Sequence, residues 1–222
     1  MKYELLEGDI AKITLDNGKA NAVSFDLAQE FLANLERAKN ESKGVLICGH
    51  AGMFSAGFDL KAMASGPEAA QKMVSEGMLV LEKIYSHPQP VVAVCEGHAI
   101  GMGVFLLLAS DYRVGASGEF VFKLPETAIN LHFNPTLRTL AKTHIDPLHH
   151  SRAIIQSEAY SPEQAATIGM LDEVFDADQV MGRALAKMAE LCELPSERYE
   201  ENKLFVREEE LQAIHKSLHG AK

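Results

Sequence analysis

Two stretches of the chain carry residue types that let main chain close on a ligand: "HAGMFSAGFDL" at 50–60 and "EGHAIGMGVFLLLAS" at 96–110. In the first, Gly52, Ser55, Ala56 and Gly57 precede Phe58 and Asp59; in the second, Gly97, Gly101 and Gly103 open an apolar run. Small residues permit close approach, and a turn entering a helix leaves its first N–H groups without intrahelical acceptors. Together with the helix dipole, such groups favour negative charge at the turn. Nucleotide chemistry does not fit the spacing. A dinucleotide loop needs glycine where Leu106 stands, and no lysine completes a phosphate loop. Nucleophilic chemistry fits no better, because "AIGMG" holds no serine, and Ser110 and Asp111 beyond it read as capping residues. What remains is an anion site made of main chain, although the first stretch alone reads better as a tight strand exit.

Several elements must position these turns. Residues 2–6 and 10–15 read as two short strands around "EGD". "SFDLAQEFLANLERAKN" follows as an amphipathic helix, with Ser24 at its N-cap and Leu27, Phe31 and Leu35 on one face. "GVLICGH" (44–50) and "PVVAVCEG" (90–97) are buried strands. Between them a helix runs from Pro67 towards Tyr85, with Val74, Met78 and Leu81 inward. "GMGVFLLLAS" is a core helix, and "DYRVGA" and "EFVFKLP" are strands. "SPEQAATIGMLDEVF" carries Ser161 as N-cap, Pro162 at the first helical position and Gly169 as a stop, and 179–218 is helical and mixed in charge. Strand and helix alternate, so the class is α/β. A compositional shift near residue 160 divides a core, 1–160, from a C-terminal helical segment, 161–222, for which an oligomerisation role is expected.

Composition narrows the partners. With 47% apolar and 23% charged residues among 222, the chain is an ordinary globular protein. A net charge of -10 disfavours nucleic acid and anionic membrane surfaces. Cys48, Cys95 and Cys192 show neither metal-ligand spacing nor a disulfide framework and read as buried thiols of a reducing compartment. The N-terminus lacks a signal-peptide core, and no uncharged run reaches the ~20 residues that span a bilayer. A cytoplasmic location is the expectation. His149 and His150 adjoin without a third ligand, so no metal site is expected.

The order of motifs carries a resemblance. "KANAVSFDL", "FSAGFDL", "GHAIGMGVFLLLASDYRV", "FKLPE" and "SPEQAATIGMLDEVF" run in family order over about residues 3–175 and resemble the crotonase, or enoyl-CoA hydratase/isomerase, superfamily. The resemblance implies a spiral of ββα units and a homotrimer or dimer of trimers. It also implies an acyl-CoA thioester whose carbonyl oxygen lies between two backbone N–H groups. By position in the motifs these donors belong to Phe58 and Met102, the latter larger than the residue usual there. Coenzyme A, part of the substrate and the only cofactor implied, is expected along Ala20, Ala22, Ser55, Ala56, Gly57, Asp59 and Gly101. The tail "LFVREEELQAIHKSLHGAK" is shorter than the family's usual helical extension, which bears on the trimer.

The same resemblance places the acid. Family hydratases carry one glutamate on the helix after the glycine turn and another in the Pro-Glu motif. Here the first position is Phe105 and the second Glu126, in "KLPETAI". Hydration needs an activated water and a delivered proton, roles that two carboxylates divide. Moving a double bond needs one base, and the pattern resembles Δ3,Δ2-enoyl-CoA isomerases. Phe105 then lines an apolar acyl pocket and raises the proton affinity of Glu126. The alternatives are a hydratase or other crotonase-type lyase or hydrolase, and a non-catalytic acyl-CoA binder. His98 and His132 read as hydrogen-bonded structural histidines, with a proton relay as the other reading.

Overall fold

The computed structural model describes residues 1–220. The chain opens with a hairpin, β1 (Lys2–Leu6) and β2 (Ile10–Thr14), turned through Gly8 and Asp9, both at positive φ. Ser24 then caps α1 (Phe25–Glu41) by accepting the Leu27 N–H, and Leu27, Phe31 and Leu35 are buried on one face. Next come β3 (Gly44–Cys48), β4 (Gly52–Ser55), the single turn α2 (Leu60–Met63) and α3 (Pro67–Tyr85). β5 (Val91–Cys95), β6 (Gly97–Ile100) and α4 (Met102–Ala109) repeat the pattern, and β7 (Tyr112–Ala116), β8 (Phe122–Lys123) and α5 (Pro135–His144) repeat it again. A 3-10 turn (Pro147–His149) and a π-helical turn (Ser151–Ile155) lead to β9 (Ala159–Tyr160), α6 (Pro162–Thr167) and β10 (Glu173–Phe175). Three helices close the chain: α7 (Ala177–Cys192), α8 (Ser196–Val206) and α9 (Glu208–His219).

The ββ pairs β3/β4, β5/β6 and β7/β8 each give one strand to each of two mixed sheets. The larger runs β1-β2-β3-β5-β7-β10, antiparallel only between β1 and β2. The smaller runs β4-β6-β8-β9, antiparallel only between β8 and β9. β3 and β5 are buried on both faces, which is why their sequences are continuous apolar runs rather than alternating ones. The last strand of the larger sheet, β10, comes from beyond residue 160 and lies against β7.

Two stretches read as turns from the sequence are strands. Residues 52–55 and 97–100 pair in parallel, and a Cβ added to Gly97 would lie 2.1 Å from the main chain of Gly52 and Met53. The strands are pressed together where only glycine fits, and glycine erases the β-branched signal that marks a strand. β8 is also shorter than "EFVFKLP", and α5, capped by Asn134, has no counterpart in the sequence reading.

The C-terminal helices fold back on their own chain. α7 covers the larger sheet with Val180, Ala184 and Met188 packed among Leu46, Val92, Val94 and Val114. α8 is held by charge. Lys203 Nζ lies 2.7 Å and Arg207 Nη1 2.9 Å from the buried carboxylate of Asp111, which also accepts from Tyr199 Oη and Val91 N. Lys203 donates further to the carbonyls of His87 and Gln89. Asp111 is therefore the anion of a buried cluster and not a helix cap. α9 packs on α3 and α5 through Ile214. Cys48 and Cys95 are buried and Cys192 half-buried, all three free thiols. Among the described residues, no helix is long and apolar enough to cross a membrane.

Removing one partner of such a cluster strands the opposite charges out of water. Asp111→Asn is expected to lower the unfolding free energy by about 3–5 kcal/mol, measured by urea denaturation. A loss below about 1 kcal/mol would mean that α8 is held by its apolar contacts alone.

Candidate active site

The two glycine bends meet because β4 and β6 are neighbours. Along the first bend nearly every amide is consumed. Ala56 N donates to Ala20 O at 2.9 Å, Gly57 N to Ser55 Oγ at 3.2 Å, and Asp59 N to Val23 O at 3.1 Å. The N–H of Phe58 has no acceptor among the described residues. In the second bend Gly101 N donates to Lys123 O, and Gly101 O accepts from Val104 and Phe105. The N–H of Met102, the first of α4, likewise has no acceptor among the described residues. Gly57, at φ +90°, joins the bends: a Cβ there would sit 2.8 Å from Ile100 O and 3.3 Å from Met102 N. A side chain would push the bends apart. Glycine keeps two donors side by side.

The carboxylate of Glu126 lies beside the second bend. A Cβ on Gly101, at φ +52°, would lie 3.3 Å from Glu126 Oε1 and 3.6 Å from Pro125 Cδ. Glu126 is only 6% exposed, and its Oε2 is buried without a hydrogen-bond partner among the described residues. Burial pushes its pKa up to about 7, with its own amide pulling slightly the other way. The turn that carries it is tied down by Leu131 N to Glu126 O, Thr127 Oγ1 to Ile154 O and Ala128 N to Ser157 Oγ. Phe105 is wholly buried on α4 and meets Phe133 edge-on, with ring centroids 6.1 Å apart. The larger residue at Met102 is accommodated by α3, where the Phe58 ring and Met102 Cε both press on Gly77.

The remaining expected residues gather along one edge. Ala20 is exposed, Ala22 and Ala56 are half-buried, and the 20–23 and 56–59 segments pair through the hydrogen bonds above. Ser55 is buried, with its hydroxyl donating to Asn21 O at 2.8 Å, so it serves internal structure. The Asp59 carboxylate accepts from Lys61 N and Ala62 N as the cap of α2.

His98 Nδ1 accepts the Val121 N–H at 3.0 Å and its ring meets Phe120 edge-on, a structural role. His132 is exposed, with no hydrogen bond among the described residues, so it is not the structural histidine expected.

Two residues here were not singled out from sequence. Asn21, fully buried at φ +44°, donates to the carbonyls of Met53 and Phe54 and accepts from Asn17 N, clamping the N-terminal loop to the first bend. Only its place in "KANAVSFDL" hinted at that. Gly77 did leave a signal, since glycine inside a helix costs about 1 kcal/mol against alanine and so marks a close contact.

The chain is similar to known proteins over most of its length. The family model for enoyl-CoA hydratase/isomerase matches residues 6–219. A structure of an enoyl-CoA hydratase/isomerase family protein from Pseudomonas syringae superposes with a TM-score of 0.94 at 36% identity, covering 97% of this chain and 94% of that one. A Mycobacterium tuberculosis protein is described as a probable enoyl-CoA hydratase in one structure and an enoyl-CoA isomerase in another. These two superpose with TM-scores of 0.93 and 0.92 at 30% identity, covering 99% of this chain and 93% and 96% of theirs. The carnitinyl-CoA dehydratase of Salmonella enteritidis is 32% identical over 183 residues, 80% of this chain and 69% of that protein. With its two mixed sheets and C-terminal helices, the chain belongs to the enoyl-CoA hydratase/isomerase family, has the crotonase fold and acts on acyl-CoA.

Proposed function

We propose that this enzyme shifts the double bond of a 3-enoyl-CoA into conjugation with the thioester, using Glu126 as the single acid/base and the amides of Phe58 and Met102 as an oxyanion hole. The observation that carries the reading is the buried carboxylate of Glu126, its Oε2 unpartnered, beside the Gly101 bend that opens a helix whose eight residues are all apolar or glycine. The carboxylate takes a proton from C2, the electron pair spreads over the dienolate, and its charge develops on the thioester oxygen between the two amides. The same proton returns to C4, giving the 2-enoyl-CoA. Two preorganised donors need no reorganisation as the charge appears, which is why each is worth so much in rate. α4 offers no second acid to position a water, and Phe105 makes that side of the site dry. Coenzyme A lies along Ala20, Ala22, Ala56 and Asp59.

The likeness to a dehydratase favours a second reading, addition or removal of water by the same glutamate. Both are tested by offering a 3-enoyl-CoA and a 2-enoyl-CoA and following the conjugated and the 3-hydroxyacyl products. Conjugation without hydration is expected. Hydration at a comparable rate would replace the isomerase reading, and binding without turnover of either would replace both.

Glu126→Gln keeps the shape and removes the base, and is expected to cut kcat by about 100- to 10,000-fold. In the native enzyme kcat/KM should rise with pH and level off above about 7, where the carboxylate is ionised.

The same burial predicts a stability effect of definite sign. The folded state holds the proton up to about 7, whereas the unfolded chain releases it near the ordinary glutamate value. Folding is therefore favoured at low pH, and the penalty for ionisation enters as pH rises through that window. Glu126→Gln should be more stable than the native chain by roughly 3 kcal/mol at pH 8, with the gap closing by pH 4. Thermal melts across pH read this directly, and equal curves would place Glu126 in water.

Met102→Pro deletes one donor at a first helical position, where proline is tolerated. It is expected to lower kcat/KM about 100- to 1000-fold. Met102→Ala, which keeps the N–H, should lose far less, and equal losses would remove Met102 from the oxyanion hole.

A further inference from the structure

We propose that Glu82, His215 and His219 bind one divalent transition-metal ion of the zinc type, fastening α9 to α3. His215 and His219 are four apart on α9 and share one face, with ring centroids 4.4 Å apart. Across from them on α3, Glu82 has a side chain only 11% exposed, and its Oε1 lies 3.5 Å from His215 Nδ1. One ligand atom from each of the three lies within 4.8 Å of the others.

The Glu82 carboxylate is poorly compensated for its depth. Its Oε2 is buried and has no hydrogen-bond partner among the described residues. Lys83 Nζ approaches that atom at 3.5 Å, but the lysine itself is exposed. A bound cation would give that buried oxygen the close partner it lacks. Two imidazoles and one carboxylate suit zinc, cobalt or nickel, whereas calcium and magnesium ask for oxygen alone. Tetrahedral ligands about 2.0–2.1 Å from zinc stand roughly 3.3 Å apart, so modest rotation of the exposed histidines closes the set, leaving a fourth position to water. Access is open on both sides. Glu82 and His215 line a cavity of about 330 Å³, and His219 another of about 410 Å³.

The consequence reaches the candidate active site through α3. Glu82 lies on the same helix as Gly77, against which the Phe58 ring and Met102 Cε rest. An ion joining α9 to α3 therefore braces the wall behind both bends. The site was invisible in sequence because Glu82 and the histidine pair lie far apart along the chain.

The test uses the full chain without an added histidine tag, stripped with chelator. Zn2+ is titrated calorimetrically, Co2+ binding is followed by its visible absorption, and melting is recorded with and without Zn2+. One ion per chain at micromolar concentration is expected, with a higher Tm that chelator reverses. His219→Ala, at an exposed position, should fold normally and weaken binding at least about tenfold, as should His215→Ala and Glu82→Gln. No saturable binding below about 1 mM would overturn the proposal, since an ordered three-ligand zinc site binds far more tightly. Unchanged binding in His219→Ala or in a folded Glu82→Gln would equally overturn it, assigning the ion to other histidines.

Discussion

The structure turns on the contact between Gly57 and the Ile100–Met102 main chain. Two loops from different ββα units meet there without a side chain between them, and a Cβ would reach 2.8 Å from Ile100 O. Everything nearby serves that closeness. β4 and β6 run in parallel at a separation only Gly97 allows, Asn21 holds the first bend from the N-terminal side, and Gly77 receives the Phe58 and Met102 side chains. Because neighbouring amides are spent on Ala20, Ser55, Val23 and Lys123, those of Phe58 and Met102 are left over and stand together. Donors fixed by so many bonds cannot relax onto one another, and on the proposed reading that rigidity is what an incipient enolate uses.

Glu126 shows what such a site costs. A carboxylate with one oxygen buried and unpartnered, pushed by burial to a pKa of about 7, weakens the fold wherever it is ionised. On the proposed reading, the same displacement brings its proton affinity near neutral pH, where a base that must also give its proton back works best. The α4 helix that follows the Gly101 bend is wholly apolar and buried, Phe105 included, so on the proposed reading it brings no second acid to the site.

Local signals made much of the scaffold legible. Ser24, Ser161, Pro67 and Pro162 mark helix starts where the structure has them, and the apolar runs 44–48 and 91–95 are buried parallel strands. Five motifs in order carried the resemblance, and those at 55–59, 101–103 and 122–126 brought Phe58, Met102 and Glu126 forward together. What stayed hidden is non-local. β4 and β6 have glycine where strands show branched residues, because their spacing is set by each other. Asp111 reads as a cap until α8 and the residue after it, far away in sequence, deliver Lys203 and Arg207. His132 reads as a hydrogen-bonded structural histidine, yet the chain leaves it exposed.

The most direct measurement of the central claim is the carbonyl stretch of an acyl-CoA bound to the enzyme, isolated by 13C labelling at the thioester carbon in infrared difference spectra. Two amides aimed at that oxygen must weaken the bond, so the band should move to lower frequency on binding and move back part-way in Met102→Pro. A band at its aqueous frequency in the bound complex would mean that the amides of residues 58 and 102 do not hold the thioester.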